Sequence, residues 1–164
     1  HPQTYLQKVC YYRELAASKA KTTTRRVINL RTSVVLDPNG WALVPLQRVC
    51  RYIWWIVPWN PIRPFAWISR DDRIWSVIHL LQDDSISGPV NLVSPSDETW
   101  KWLFQSLCQI YNKPYIGYIP SRMIRFGMWR AAEFVLAWQK VLPQKLLASW
   151  YSFLKMSLHD IIKV

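Results

Sequence analysis

Glycine is scarce: the 164 residues contain 4, where average usage would give roughly eleven. Most turns must therefore be built from residues that resist positive φ. A Gly-rich dinucleotide turn of the GxGxxG or GxxGxxG type is excluded, because no such spacing occurs. Cysteine is sparse too. Cys10, Cys50 and Cys108 are odd in number, widely separated and free of any CxxC, which argues against a zinc knuckle or a disulfide framework. Buried free thiols in a reducing intracellular compartment are the expectation. His1, His79 and His159 show no metal-ligand spacing, so no metal site is expected. No run of about 18 apolar residues exists, so no transmembrane helix is expected. There is no initiating Met, and His1-Pro2 opens neither a signal nor a transit peptide. The chain is expected to be a piece whose beginning lies elsewhere.

What is abundant is tryptophan, with 11 residues, and positive charge, with 21 Lys and Arg against 10 Asp and Glu. The net charge of +11 favours anionic partners: nucleic acid, an acidic membrane face or acidic subunits. About half the residues are apolar, enough for one domain with a sizeable core and against intrinsic disorder.

The spacing predicts an amphipathic helix over about 4–21 and a buried, parallel-type strand over Arg26 to Leu36. A turn at Asp37 to Gly40 and a weaker helix over about 42–52 follow. Pro58, Pro61 and Pro64 forbid a helix in the next stretch. Arg70-Asp71-Asp72 opens a helix through about Leu81, since acidic residues favour a first turn. After a turn at Ser87 to Pro89 come a short strand, Val90 to Val93, and a helix over Pro95 to Asn112 capped by Thr99 or Ser96. A strand at Tyr115 to Ile119, a helix over about 121–141 and a short helix near Leu158 to Ile162 complete the pattern. Strands alternating with helices describe part of an α/β protein.

Four segments carry a resemblance: RVINLRTSVVLDPNG (Arg26 to Gly40), AWISRDD (Ala66 to Asp72), SGPVNLVSP (Ser87 to Pro95) and WQKVLPQKLLASWYSF (Trp138 to Phe153). Together, in this order, they resemble the C-terminal half of the atypical extended short-chain dehydrogenase/reductases, the nucleoside-diphosphate-sugar epimerase-like proteins. The resemblance implies the C-terminal part of a Rossmann-like doubly wound fold, with small substrate-domain helices and short strands and without the cofactor half. It divides the chain into 1–37, the last part of a Rossmann-like core, and 38–164, a substrate-domain-like region. It implies no cofactor for this chain alone, and NAD(P) only when a complementary N-terminal half is present.

The superfamily's chemistry uses Tyr and Lys four residues apart, the Lys lowering the phenol pKa. Here Tyr11 and Tyr12 are followed four residues on by Leu15 and Ala16, so both tyrosines read as packing residues. Arg13-Glu14 stands where this branch often has Trp-Glu. Ser33, Trp41, Trp55, Trp59, Trp129, Trp138 and Trp150 stand where relatives usually have Gly. A Gly that held positive φ there would leave a Trp strained. Ser69 stands in place of a His before Asp71-Asp72, which the resemblance makes a structural helix start. The implied result is lost substrate access and a gained aromatic surface.

The residues that carry this surface are Arg48, Arg51, Trp54, Trp55, Trp59, Arg63 and Trp67 in the Pro-rich stretch, and Arg122, Arg125, Trp129 and Arg130 further on. Aromatics among arginines suit a protein interface, a lid over the chain's own core, a membrane surface or unpaired bases. Arg25 and Arg26, with Lys19 and Lys21, suit either phosphate contact, as on rRNA, or a solvated helix end. Asp83-Asp84 has no partner at catalytic spacing and is expected on the surface.

Three functions remain open. One is a non-catalytic accessory subunit in a larger assembly, such as an organellar (mitochondrial or plastid) ribosome or respiratory complex. Another is the C-terminal fragment of an active NAD(P)-dependent oxidoreductase or epimerase. The third is a peripheral membrane protein. A half sheet is also expected to leave an exposed parallel edge and an apolar face that a separate N-terminal half-domain would cover.

Overall fold

The computed structural model describes residues 5–22, 24–52, 55–58, 62–112, 115–119 and 140–162. Helix α1 spans Tyr5–Ser18, followed by strands β1 (Ile28–Thr32) and β2 (Val34–Leu36), helix α2 (Leu43–Tyr52) and strand β3 (Trp55–Pro58). Next come β4 (Trp67–Ser69), α3 (Arg70–Gln82), β5 (Gly88–Leu92), α4 (Trp100–Ile110) and β6 (Tyr115–Ile119). Two short helices, α5 (Gln144–Ala148) and α6 (His159–Ile162), close the described chain. The expected helix over 121–141 lies outside the described residues.

Among the described residues, the three strand pairs are parallel: β1 with β5, β2 with β4 and β3 with β6. The run expected as one strand over Arg26 to Leu36 is two. They part at Ser33, whose N–H and hydroxyl both reach Leu92 O, at 3.1 and 2.8 Å, while Val34 N–H turns to Ala66 O at 3.3 Å. One β-branched run thus serves two partners. Its composition records the strand character but not the change of neighbour.

Two cores result, and β2 and β4 form the wall between them. Side chains alternate across a strand. Trp67 and Leu36 accordingly enter one core with Phe65, Leu103, Leu107 and Leu158, whereas Ile68 enters the other with Leu80, Leu92, Leu146 and Phe153. Helix α4 starts at Thr99, whose hydroxyl accepts from Trp102 N–H; Ser96 is not its cap. β5 begins at Gly88, in the expected turn, where φ is 75° and only glycine is at ease.

Candidate functional site

Glu14 on α1 and Arg31 on β1 form a bidentate pair, with Nε–Oε1 2.6 Å and a second nitrogen to Oε2 2.7 Å. Such fork-to-fork pairs fix orientation as well as distance, so α1 is fastened to the sheet here. The Arg31 guanidinium holds the Glu14 carboxyl below its ordinary range. Beside the pair lies a recess of about 130 Å³ lined by Arg13, Glu14, Ala17, Ile28, Asn29 and Leu30.

The surroundings are unusual for a helix and strand of a folded core. Tyr5, Val9 and Tyr12 recur at helical spacing on α1 and are 76%, 46% and 64% exposed. Among the described residues β1 pairs only with β5, so its outer edge is open. Tyr11 and Tyr12, expected to pack, are both exposed and meet each other edge to face at 5.6 Å. Cys10 is exposed as well, against the expectation of a buried thiol, while Cys108 is buried.

The Asp71-Asp72 helix start is more than a start. Ser69 Oγ accepts from Asp72 N–H at 2.9 Å and donates to Asp72 Oδ2 at 2.7 Å. The fully buried Asp72 carboxylate also accepts from Leu154 N–H at 2.7 Å, Lys155 N–H at 2.9 Å and the Tyr151 hydroxyl at 3.3 Å. Burial pushes the Tyr151 phenol up to about 12. A second carboxylate, Glu98, accepts from Trp67 Nε1 at 3.0 Å, Leu158 N–H at 3.0 Å and Ser157 Oγ at 3.1 Å, and burial raises its pKa. One buried acid and one half-buried acid therefore staple the 151–158 segment onto the core. No local signal in the sequence announces this, because the partners lie some 60 to 83 residues apart.

Of the expected surface residues, Arg48, Arg51 and Arg63 are exposed. Trp67 is a correction: it is fully buried in β4, and its indole N–H is taken by Glu98. β4 is buried on both faces, Trp67 in one core and Ile68 in the other, which an Arg/Trp-rich composition cannot reveal. Trp55 opens β3, and its side chain lies outside the described residues. So do Trp54, Trp59, Arg122, Arg125, Trp129 and Arg130. Arg26 is engaged within the fold: it donates to the carbonyls of Leu80, Leu81, Asp83 and Ile86 and pairs with Asp84 at 3.2 Å. It caps the C-terminus of α3, satisfying carbonyls that a helix end leaves open.

No protein-family model matches the chain. It is 30% identical over 166 residues to an epimerase family protein of Staphylococcus aureus strain NCTC 8325, an alignment covering 99% of this chain and 55% of that protein. This chain is a homologue of the epimerase family proteins. It spans about half the length of the curated relatives it matches. A Staphylococcus haemolyticus epimerase family protein is 26% identical over 99% of this chain and 56% of its own length. The crystal structure of human epimerase family protein SDR39U1 with NADPH superposes with a TM-score of 0.77 at 26% identity, covering 91% of this chain and 51% of that one. A nucleoside-diphosphate sugar epimerase from Corynebacterium glutamicum gives 0.74 at 24% identity over 98% of this chain and 30% of that one, a likeness of fold. The fold is thus part of a Rossmann-like one.

Among the described residues no Gly-rich turn of the kind that holds a pyrophosphate is present. Among the described residues, Gly40 closes the turn after β2 and Gly88 opens β5. Gly40 does stand between β2 and the start of α2, but it is the one glycine of that turn, and a dinucleotide phosphate is held by a Gly-rich turn at a helix N-terminus.

Proposed function

We propose that this chain is the non-catalytic scaffold half of an epimerase-like fold, held in a larger assembly by a nucleotide-binding half that covers α1 and the open edge of β1. The observation that carries this reading is the exposed row Tyr5, Val9 and Tyr12 beside an unpaired parallel strand. A parallel sheet is ordinarily buried on both faces and flanked by further strands. The half-length match to the relatives supports it, since the part of them left unmatched is large enough to supply such a partner. The non-catalytic part rests on α1, where no Tyr is followed four residues later by Lys, and on Glu14 being committed to Arg31.

A second reading, the C-terminal fragment of an active NAD(P)-dependent oxidoreductase or epimerase, is favoured by the likeness to a structure solved with NADPH. NADPH fluorescence separates the two. The chain alone is expected not to bind. Mixed with the unmatched part of the Staphylococcus aureus relative, the pair is expected to bind NADPH without oxidising it in the presence of nucleotide sugars or carbonyl substrates. Turnover by the pair would establish the second reading. Binding by this chain alone would overturn both.

A further inference from the structure

Trp150 stands in the left-handed region, at φ 59°, and is 91% exposed. It follows the last turn of α5. Tyr151 N–H closes onto Leu146 O at 3.0 Å and Trp150 N–H onto Leu147 O at 3.2 Å, the helix-ending geometry that glycine ordinarily occupies. A tryptophan there is strained and gains no burial, so its presence calls for a use outside the fold.

Its surroundings indicate which use. Between residues 140 and 158 the chain carries Lys140, Lys145 and Lys155 and no carboxylate. Asp97 offsets Lys140 at 2.6 Å, leaving the charge of Lys145 and Lys155 around the turn. Leu147, Leu154 and Met156, all within six residues of Trp150 along the chain, are exposed. Trp75 joins them from α3. His79, one helical turn further along the same face, meets Ser149 at 2.9 Å, and Ser149 precedes Trp150. Arg73 is exposed next to Ile74 and Trp75, both also exposed. This patch lies across the sheet from α1: Ile28 packs towards the α3/α5 layer, while Arg31, of opposite parity on β1, reaches Glu14 on α1.

We propose that the turn centred on Trp150, with Trp75, Leu147, Leu154 and Met156, is a contact surface for an anionic lipid bilayer. Exposed Trp and Leu suit the headgroup layer. Lys145, whose Nζ donates to Ser87 O, and Lys155 form no ion pair with a described acid, which suits an anionic leaflet, although Asp71 and Asp83 flank Trp75 and His79 along α3. Among the described residues no helix is long and apolar enough to cross a membrane, so the contact is interfacial.

Flotation of the full chain with vesicles tests it, using phosphatidylcholine alone and phosphatidylcholine with about a third phosphatidylserine. The wild type is expected to float with the anionic vesicles, less so at high salt. Trp150→Gly is expected to weaken the partitioning about tenfold. That variant relieves the backbone rather than damaging it, so a retained or raised melting temperature excludes unfolding as the cause. A variant with Tyr5, Val9 and Tyr12 changed to Ser is expected to float like the wild type, separating this surface from the one proposed for the other half. The proposal is overturned if the chain fails to float, if Trp150→Gly floats unchanged, or if only the α1 variant loses flotation. Trp150-dependent capture of a protein without vesicle binding would overturn it equally.

Discussion

Asp72 and Leu154 are joined by a 2.7 Å hydrogen bond across 82 residues of chain, from the Leu154 N–H to a carboxylate with no exposed surface. Removing the acceptor leaves the Leu154 and Lys155 amides unpaired and Ser69 without its reciprocal partner. Asp72→Ala is expected to lose about 3 kcal/mol or more in urea unfolding, since charged hydrogen bonds and orphaned donors each cost on the order of 1–3 kcal/mol. A loss under about 0.5 kcal/mol, the usual range of surface changes, would show that the staple does little.

Arg26 has a different duty from the one its basic neighbourhood suggests. Four carbonyls near the end of α3 accept from it. Arg26→Ala is expected to cost about 2 kcal/mol, and Lys to restore only part, because an ammonium cannot reproduce the planar fork. Equal stability of the Lys variant and the wild type would argue against the fork.

For Trp150→Gly the expected sign is the opposite. Relieving a left-handed Trp that buries almost nothing is expected to stabilise by about 1 kcal/mol, a rise of roughly 2–4 °C in Tm. A fall in Tm would mean that the indole holds something in place.

Glu98 makes stability depend on pH. Burial is the largest influence on its carboxyl and raises the pKa above the ordinary 4.5, against the pull of its Leu158, Ser157 and Trp67 donors. The folded state therefore holds the proton more tightly than the unfolded state. Its contribution is fully present below the unfolded pKa and is lost as pH rises through the folded one. In denaturation series from about pH 4 to 7, Glu98→Gln is expected to gain stability relative to the wild type as pH rises. A difference that stays flat or moves the other way would contradict the burial argument.

Local patterns made much of this architecture legible. The helix over Arg70–Gln82 follows from two acids at its start, and α4 from its Thr cap, while the Ser69 cap of the former emerged with the structure. The four segments that resemble the epimerase-like proteins led to the homology. What escaped the sequence is what depends on distant partners. Ser33 parts two strands only because Leu92 and Ala66 lie on different neighbours. Trp67 reads as a surface aromatic until β4 is seen to lie between two cores and to be buried on both faces. Strand β3 sits where three prolines excluded helix without announcing a parallel partner. Helix α5, five residues after Pro143, is too short for any periodicity to show.

The central claim concerns the face formed by α1 and β1, and hydrogen–deuterium exchange reads it amide by amide. On adding the unmatched part of the Staphylococcus aureus relative, protection is expected to appear over residues 5–18 and 28–32, with the turn at Trp150 unchanged. Unaltered exchange over both segments, from a chain that is already a monodisperse monomer, would mean that this surface is finished as it stands and awaits no other half.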